Sequence, residues 1–191
     1  MDELARCAAE ARACRLCEAE LPLGPRPVLR VSPTARLLII GQAPGTRVHA
    51  SGIPWDDASG ERLRAWMGVE SDTFYDESRI AILPMGLCYP GVLPKGGDRP
   101  PMKICAPIWH PRLLPLMPAI KLTLVIGTYA QARLLGPGPM TAHVANFRAF
   151  LPALLPLPHP SWRTIGWQAR NPWFDADLLP ELRARVARTL G

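Results

Sequence analysis

Apolar residues recur along this chain in two rhythms, unbroken short runs and stretches that return every three or four positions. Residues 36–41, Arg-Leu-Leu-Ile-Ile-Gly, are a solid apolar run that stops at glycine, which predicts a strand buried on both faces. Residues 79–83 and 122–127 repeat that pattern, and residues 153–157 form a weaker fourth run. Between these runs the spacing changes. Residues 2–17 place Leu4, Cys7, Ala11 and Cys14 on one helical face, with Asp2 as N-cap. Residues 59–67 predict a short helix with Leu63, Trp66 and Met67 inward and Gly68 as its stop. The run at 122–127 passes straight into a helix over 128–135, and residues 180–190 close the chain with Leu182, Val186 and Leu190 aligned. Buried strands alternating with helices predict an α/β fold, a three-layer αβα arrangement around a central, mainly parallel four-stranded sheet. With no internal repeat, low-complexity segment or composition break, residues 1–191 read as one domain. The loops at Gly41 and His159 then both fall at the carboxyl ends of strands, where ligands bind in open α/β sheets.

Composition adds limits. Hydrophobic residues make up 48% of the 191, enough for a packed core and too many for general disorder. Prolines number 23, and several stand just beyond apolar runs (Pro84, Pro152, Pro156, Pro158), so short elements joined by stiff loops are expected. The most apolar stretch, around 113–127, is interrupted by Pro115, Pro118 and Lys121, so no bilayer-spanning helix is expected. Met1-Asp2-Glu3 is acidic where a secretory signal would be basic. A cytoplasmic location is therefore expected, in which five cysteines do not make a disulfide framework. The net charge of +6 is concentrated. Residues 95–148 hold seven basic residues against one acidic residue, Asp98, whereas residues 37–94 hold four arginines against seven carboxylates. A polyanion would be drawn to one face and repelled from another, unless the charges scatter around the fold and serve only solubility.

Three loops carry candidate chemistry. Gly41-Gln42-Ala43-Pro44-Gly45 follows the first strand directly; its glycines permit a sharp turn and close approach to a ligand, and Gln42 offers both a donor and an acceptor. It lacks the Lys-Ser/Thr pair of a phosphate loop and the spacing of a dinucleotide fingerprint, which leaves a ligand loop or an ordinary tight turn. His159-Pro160-Ser161-Trp162-Arg163 follows the last strand and presents imidazole, hydroxyl and guanidinium groups from a stiff loop; a structural histidine is the rival reading. In residues 52–60, Trp55 either stacks on a ligand or packs in the core. Asp57 either faces the ligand or caps the following helix, a task Ser59 can also perform. Four cysteines form a further set. Cys14 and Cys17 make a CxxC, and Cys88 and Cys105 follow much later, a donor set that suits zinc or a 4Fe–4S cluster, with buried reduced thiols as the plain alternative. Cys7 has no place in that pattern and reads as packing.

Taken in order, the GxxPG loop, the aromatic-containing Gly-x-Pro segment at 52–55, Asp57-Ala58-Ser59-Gly60 and the late His-Pro-Ser resemble the uracil-DNA glycosylase superfamily. The likeness is closest to its bacterial and archaeal iron–sulfur families 4 and 5, and runs from Cys14 to Arg163. It implies a monofunctional base-excision-repair enzyme that hydrolyses the N-glycosidic bond of a flipped uracil or related deaminated base. DNA containing a damaged base would be its partner, and a cytoplasmic, nucleoid-associated monomer is expected. On this resemblance, Asp57 and His159 are catalytic, Asp57 near the sugar and His159 donating to the leaving base. Gly41, Gln42, Ala43 and Trp55 hold the base, while Gly45, Ser161 and Arg163 hold the DNA backbone. Cys14, Cys17, Cys88 and Cys105 carry a 4Fe–4S cluster, with zinc on the same cysteines as the alternative. Two features depart from the family pattern. The asparagine that usually reads the pyrimidine edge, four residues before the third cysteine, is replaced by Pro84, followed by Met85. His49 is an extra residue that either acts in catalysis or recognition or is a surface-loop histidine. Pro84 also motivates a rival function, non-turnover binding or trapping of damaged DNA on the same scaffold; an iron–sulfur redox protein is a third reading, which would leave the His-Pro-Ser loop without a task.

Overall fold

A computed structural model describes residues 2–191. Four parallel strands, β1 (Leu37–Ile40), β2 (Ile80–Ile82), β3 (Leu122–Ile126) and β4 (Leu154–Leu157), form one sheet in the order β2-β1-β3-β4. Leu38 stands opposite Ala81 on one side and Thr123 on the other, and Val125 stands opposite Pro156. The chain leaves β1 for β2 at one edge and later returns to β3 on the opposite flank of β1. A crevice therefore opens at the carboxyl ends of β1 and β3, where the strand order reverses.

The helices are α1 (Glu3–Arg12), α2 (Thr46–Ser51), α3 (Ala58–Met67), α4 (Ser71–Tyr75), α5 (Cys105–Leu113), α6 (Gly127–Leu134), α7 (Met140–Ala145), α8 (Thr164–Arg170) and α9 (Leu179–Leu190). Successive strand side chains point to opposite faces, and the core divides accordingly. Leu37 and Ile39 pack with Leu63 and Met67 of α3, Phe74 of α4, Phe174, and Leu182 and Val186 of α9. Leu38 and Ile40 pack with Leu4, Cys7 and Ala11 of α1, Trp109 and Leu113 of α5, and Ala130 of α6. The result is the expected three-layer α/β architecture. Burying each large side chain of these two cores contributes roughly 1.5–3 kcal/mol. Among the described residues no helix is long and apolar enough to cross a membrane.

Some elements differ from the pattern-based expectation. Helix α1 stops at Arg12, short of Cys14 and Cys17, with the N–H of Ala13 closing on the Ala9 carbonyl at 3.0 Å. Cys14 still packs against the core beyond the helix end, while Arg15 and Glu18 pair with one another in solvent. Helix α5 has no counterpart in the sequence reading: Pro107 and Pro111 look like breakers. Yet Pro107 falls in the first turn, where its missing N–H has no intrahelical partner to lose.

Candidate active site

Beyond the carboxyl ends of the strands lies a cavity of about 420 Å³, within the roughly 300–1,000 Å³ typical of ligand pockets. Its wall is contributed by the loop after β1 (residues 41–45), the turn at Trp55, the start of α3, Pro84 after β2, Gly97 and Asp98, and residues 159–163 after β4. Gly41 and His159, expected on two loops distant in sequence, thus face the same space.

The Trp55–Gly60 segment shows how the local sequence fixes this wall. Trp55 has a left-handed backbone, φ +58°, a conformation uncommon outside glycine that persists only where surroundings hold it. Its carbonyl accepts from the Tyr75 hydroxyl at 3.2 Å and from Arg64 at 3.5 Å. A Cβ on Gly60 would stand 1.8 Å from that carbonyl oxygen, so only glycine fits at this position. The indole in turn lies over Gly41, where a Cβ would meet its Cζ2 atom at 2.9 Å. Its ring centroid is 5.7 Å from that of His159, with the planes inclined at 32°. Trp55 is thus both a packed residue and a cavity wall.

Asp57, not Ser59, is the N-cap of α3: its Oδ1 accepts the Gly60 N–H at 2.9 Å. The other oxygen, Oδ2, lies 3.9 Å from where a Cβ on Gly45 would stand, and Oδ2 of Asp98 approaches that same point at 3.9 Å. One aspartate therefore performs both tasks that the sequence offered as alternatives, capping a helix and facing the cavity.

His159 is partly buried, and its ring nitrogens make no hydrogen bond to the described residues. Burial pushes its pKa below the ordinary histidine value, opposed by the nearby Asp57 charge, so the imidazole is neutral at neutral pH. Its backbone is fixed instead. The His159 carbonyl accepts from Ser161 N–H at 2.8 Å and from the Thr164 hydroxyl, and Arg62 of α3 donates to the Ser161 carbonyl at 2.9 Å. Ser161 and Arg163 line the cavity, and Trp162 beside them is 73% exposed at its mouth.

Residues 91–99 form a small hairpin, with Val92 bridged to Asp98 and the Leu93 N–H bonded to the Gly97 carbonyl at 2.8 Å. Gln42 is bound to its base: the side-chain amide donates to the Arg99 carbonyl at 3.0 Å, which leaves the amide oxygen as its free acceptor. Asp98 brings a second carboxyl group to the cavity. Burial and the charge of Asp57 raise its pKa above the usual carboxylate range, and Arg163 opposes them. Sequence reasoning gave Asp98 no role. The available signal was its isolation, as the single carboxylate within the basic stretch 95–148.

The remaining expected residues separate. Ala43 and Gly45 line the cavity with Gly41 and Gln42. His49, on α2, is absent from its lining; the ring stands 6.0 Å from Tyr89, and its buried Nδ1 has no partner among the described residues. Pro84 forms an apolar part of the wall, its carbonyl taken by His110 Nε2 at 3.1 Å, while Met85 turns into the core. Beside the core packed on α1 and α5, Cys14, Cys17, Cys88 and Cys105 line one common apolar cavity with Leu21, Leu87 and Trp109. The Leu87 N–H donates to Cys105 Sγ at 3.3 Å. Burial, with smaller contributions from the neighbouring thiols, pushes the Cys88 pKa up to about 11 and that of Cys105 up to about 12.

Comparison with protein families bears on the superfamily. The family model described as the uracil DNA glycosylase superfamily matches residues 30–183, which takes in every strand of the sheet and every residue lining the larger cavity except Val28. The chain belongs to the uracil DNA glycosylase superfamily.

Proposed function

We propose that the protein is a monofunctional DNA glycosylase of base-excision repair, which hydrolyses the N-glycosidic bond of a flipped deaminated base. The observation that carries this reading is the convergence of the Gly41 and His159 loops on a single cavity, with Trp55 and Asp57 between them. Chemistry on a base requires taking it out of the stack, and this cavity is of a size to receive it. The leaving base and the sugar then make opposite electrostatic demands. Neutral His159 supplies an N–H to a base carbonyl as negative charge grows there, and Asp57 supplies negative charge beside the developing sugar cation. Trp55 gives the base a stacking face, Gly41, Gln42 and Ala43 line the adjoining wall, and Gly45, Ser161 and Arg163 hold the DNA backbone. Pro84 presents no hydrogen-bonding side chain to a pyrimidine edge, which favours a wider range of bases than uracil alone. The resemblance to families 4 and 5 is part of this reading.

Oligonucleotides carrying uracil, hypoxanthine or xanthine, incubated with the full chain and treated with alkali, test it directly. Strand breaks are expected on at least one substrate, and His159→Ala is expected to slow release by about 100-fold. Failure on all three would overturn the assignment. Should the protein instead retain such DNA tightly without releasing the base, the non-turnover reading that Pro84 motivates would replace it.

The four cysteines fit a 4Fe–4S cluster, and Cys14, Cys17, Cys88 and Cys105 would hold it. Thiols with pKa values raised by burial need nearby positive charge to ionise, which a metal centre provides. Zinc on the same four cysteines is the alternative. A cluster held there would be structural, joining the segment after α1 to the two ends of residues 88–105. Purified protein is expected to contain about four iron atoms per chain, the nuclearity of such a cluster. Cys88→Ala should lose iron and visible absorbance together, and one zinc per chain in place of iron would overturn the assignment.

A further inference from the structure

Gln131 of α6 is a buried polar side chain outside the lining of the larger cavity. It is 1% exposed, and its amide nitrogen donates to the Leu157 carbonyl at 2.9 Å and to the Val125 carbonyl at 3.4 Å. Carbonyls only accept, so the nitrogen faces them and the amide oxygen points elsewhere. That oxygen is buried without a hydrogen-bond partner among the described residues. An unpaired buried acceptor lowers stability. Leucine or methionine would fill the same space without leaving one, so packing alone does not account for a glutamine here.

The reason lies in how the sheet ends. Strand β3 runs into α6 at Gly127, whose φ of +81° turns the backbone aside just after Ile126 pairs with Leu157. The Leu157 carbonyl stands at that end, and Gln131 reaches it from the second turn of α6. From there to His159 the chain has little freedom. The Leu157 carbonyl belongs to the planar peptide that joins Leu157 to Pro158, and the Pro158 ring fixes its own φ, so one soft dihedral separates the held carbonyl from His159. The start of α6 also abuts the histidine: a Cβ on Gly127 would stand 3.7 Å from that of His159. Thr164 and Arg62 hold the loop from the far side, through the carbonyls of His159 and Ser161. We propose that Gln131 is the positioning residue for His159, aiming its imidazole at the leaving base by holding the Leu157 carbonyl. This rests on the glycosylase reading and adds to it a side chain that acts on the reaction without touching the substrate.

A double-mutant cycle tests it. Single-turnover base release at saturating enzyme is measured for Gln131→Met alone and combined with His159→Ala, at a temperature well below every melting transition. The substrate is whichever of the uracil, hypoxanthine and xanthine oligonucleotides wild type acts on fastest. Gln131→Met is expected to slow release by about 100-fold, the scale of a catalytic group misplaced by about an ångström, with DNA binding unchanged. In the His159→Ala background the same change should slow release by less than about 3-fold, because the group it serves is gone. Equal losses in both backgrounds would mean that Gln131 only supports the fold, and would overturn its positioning role alone. If Gln131→Met does not fold, Gln131→Glu carries the test. Its carboxyl donates to Leu157 only when protonated, so its rate relative to wild type should fall as pH rises, and a constant ratio would overturn the proposal. No release of any base by wild type would overturn the glycosylase reading, and this proposal with it.

Discussion

Replacing Asp57 with asparagine is expected to slow base release by about 100- to 1,000-fold, the scale of one lost electrostatic contact in a transition state. The same change should leave the melting temperature within a few degrees of wild type. The two effects separate because the two oxygens of Asp57 have different tasks. Oδ1 caps α3 through the Gly60 N–H, and asparagine caps as well as aspartate does. Oδ2 faces the cavity, and there asparagine substitutes a neutral amide for a charge. Binding of substrate DNA should persist, since the loops that approach the backbone are untouched. Asp57→Ala removes both contributions, and is expected to cost about 1 kcal/mol of stability for the cap in addition to the rate. A full rate in Asp57→Asn, measured under single turnover, would reduce this residue to a helix cap.

The second large effect is expected from the smallest side chain added to the site. Gly60→Ala places a Cβ 1.8 Å from the Trp55 carbonyl oxygen and 2.7 Å from its carbonyl carbon. Relief cannot come from a rotamer change, because the obstacle is backbone. Moving it means breaking its hydrogen bonds to Tyr75 and Arg64 and withdrawing Trp55 from its left-handed conformation. Overpacking with no flexible neighbour to yield costs about 3 kcal/mol or more. For a chain of this size, that loss lowers the melting temperature by about 10 °C. Release of the base should be abolished along with it, as the displaced indole would leave the cavity. A thermal melt indistinguishable from wild type would show that the Trp55 turn is softer than its contacts imply.

The four strands were legible because each is an apolar run with no competing period, and their ends shift by a residue or two at most. Helix α3 was legible through Leu63, Trp66 and Met67 and its glycine stop. Helix α2 was not: six residues with one buried side chain, Val48, give no stripe to detect. Helix α5 was hidden by its prolines, and α9 was legible without the π-helical segment Phe174–Leu178 that leads into it. At the site, the ordered motifs pointed to residues that do share a cavity, since the first and the last directly follow strands and topology brings strand ends together. Three-dimensional relations were not legible. Nothing in the sequence places Asp98 near Asp57, because residues 91–99 carry no apolar alternation that predicts a hairpin; the hairpin exists through its pairing across Val92 and Asp98 and the hold of Gln42 on Arg99. His49 stood close to the Gly45 loop in sequence, yet one turn of α2 directs it toward Tyr89.

The stretch that begins at Cys88 and finishes at Cys105 is an arch. Both feet stand in the thiol-lined cavity, with Leu87 bonded to Cys105 across the gap, and its crown is the hairpin that reaches the rim of the other cavity. A span whose ends are already joined has lost much of its freedom to wander, and the entropy of ordering the crown falls accordingly. Anything that ties the feet together therefore steadies Asp98 from a distance, without touching it.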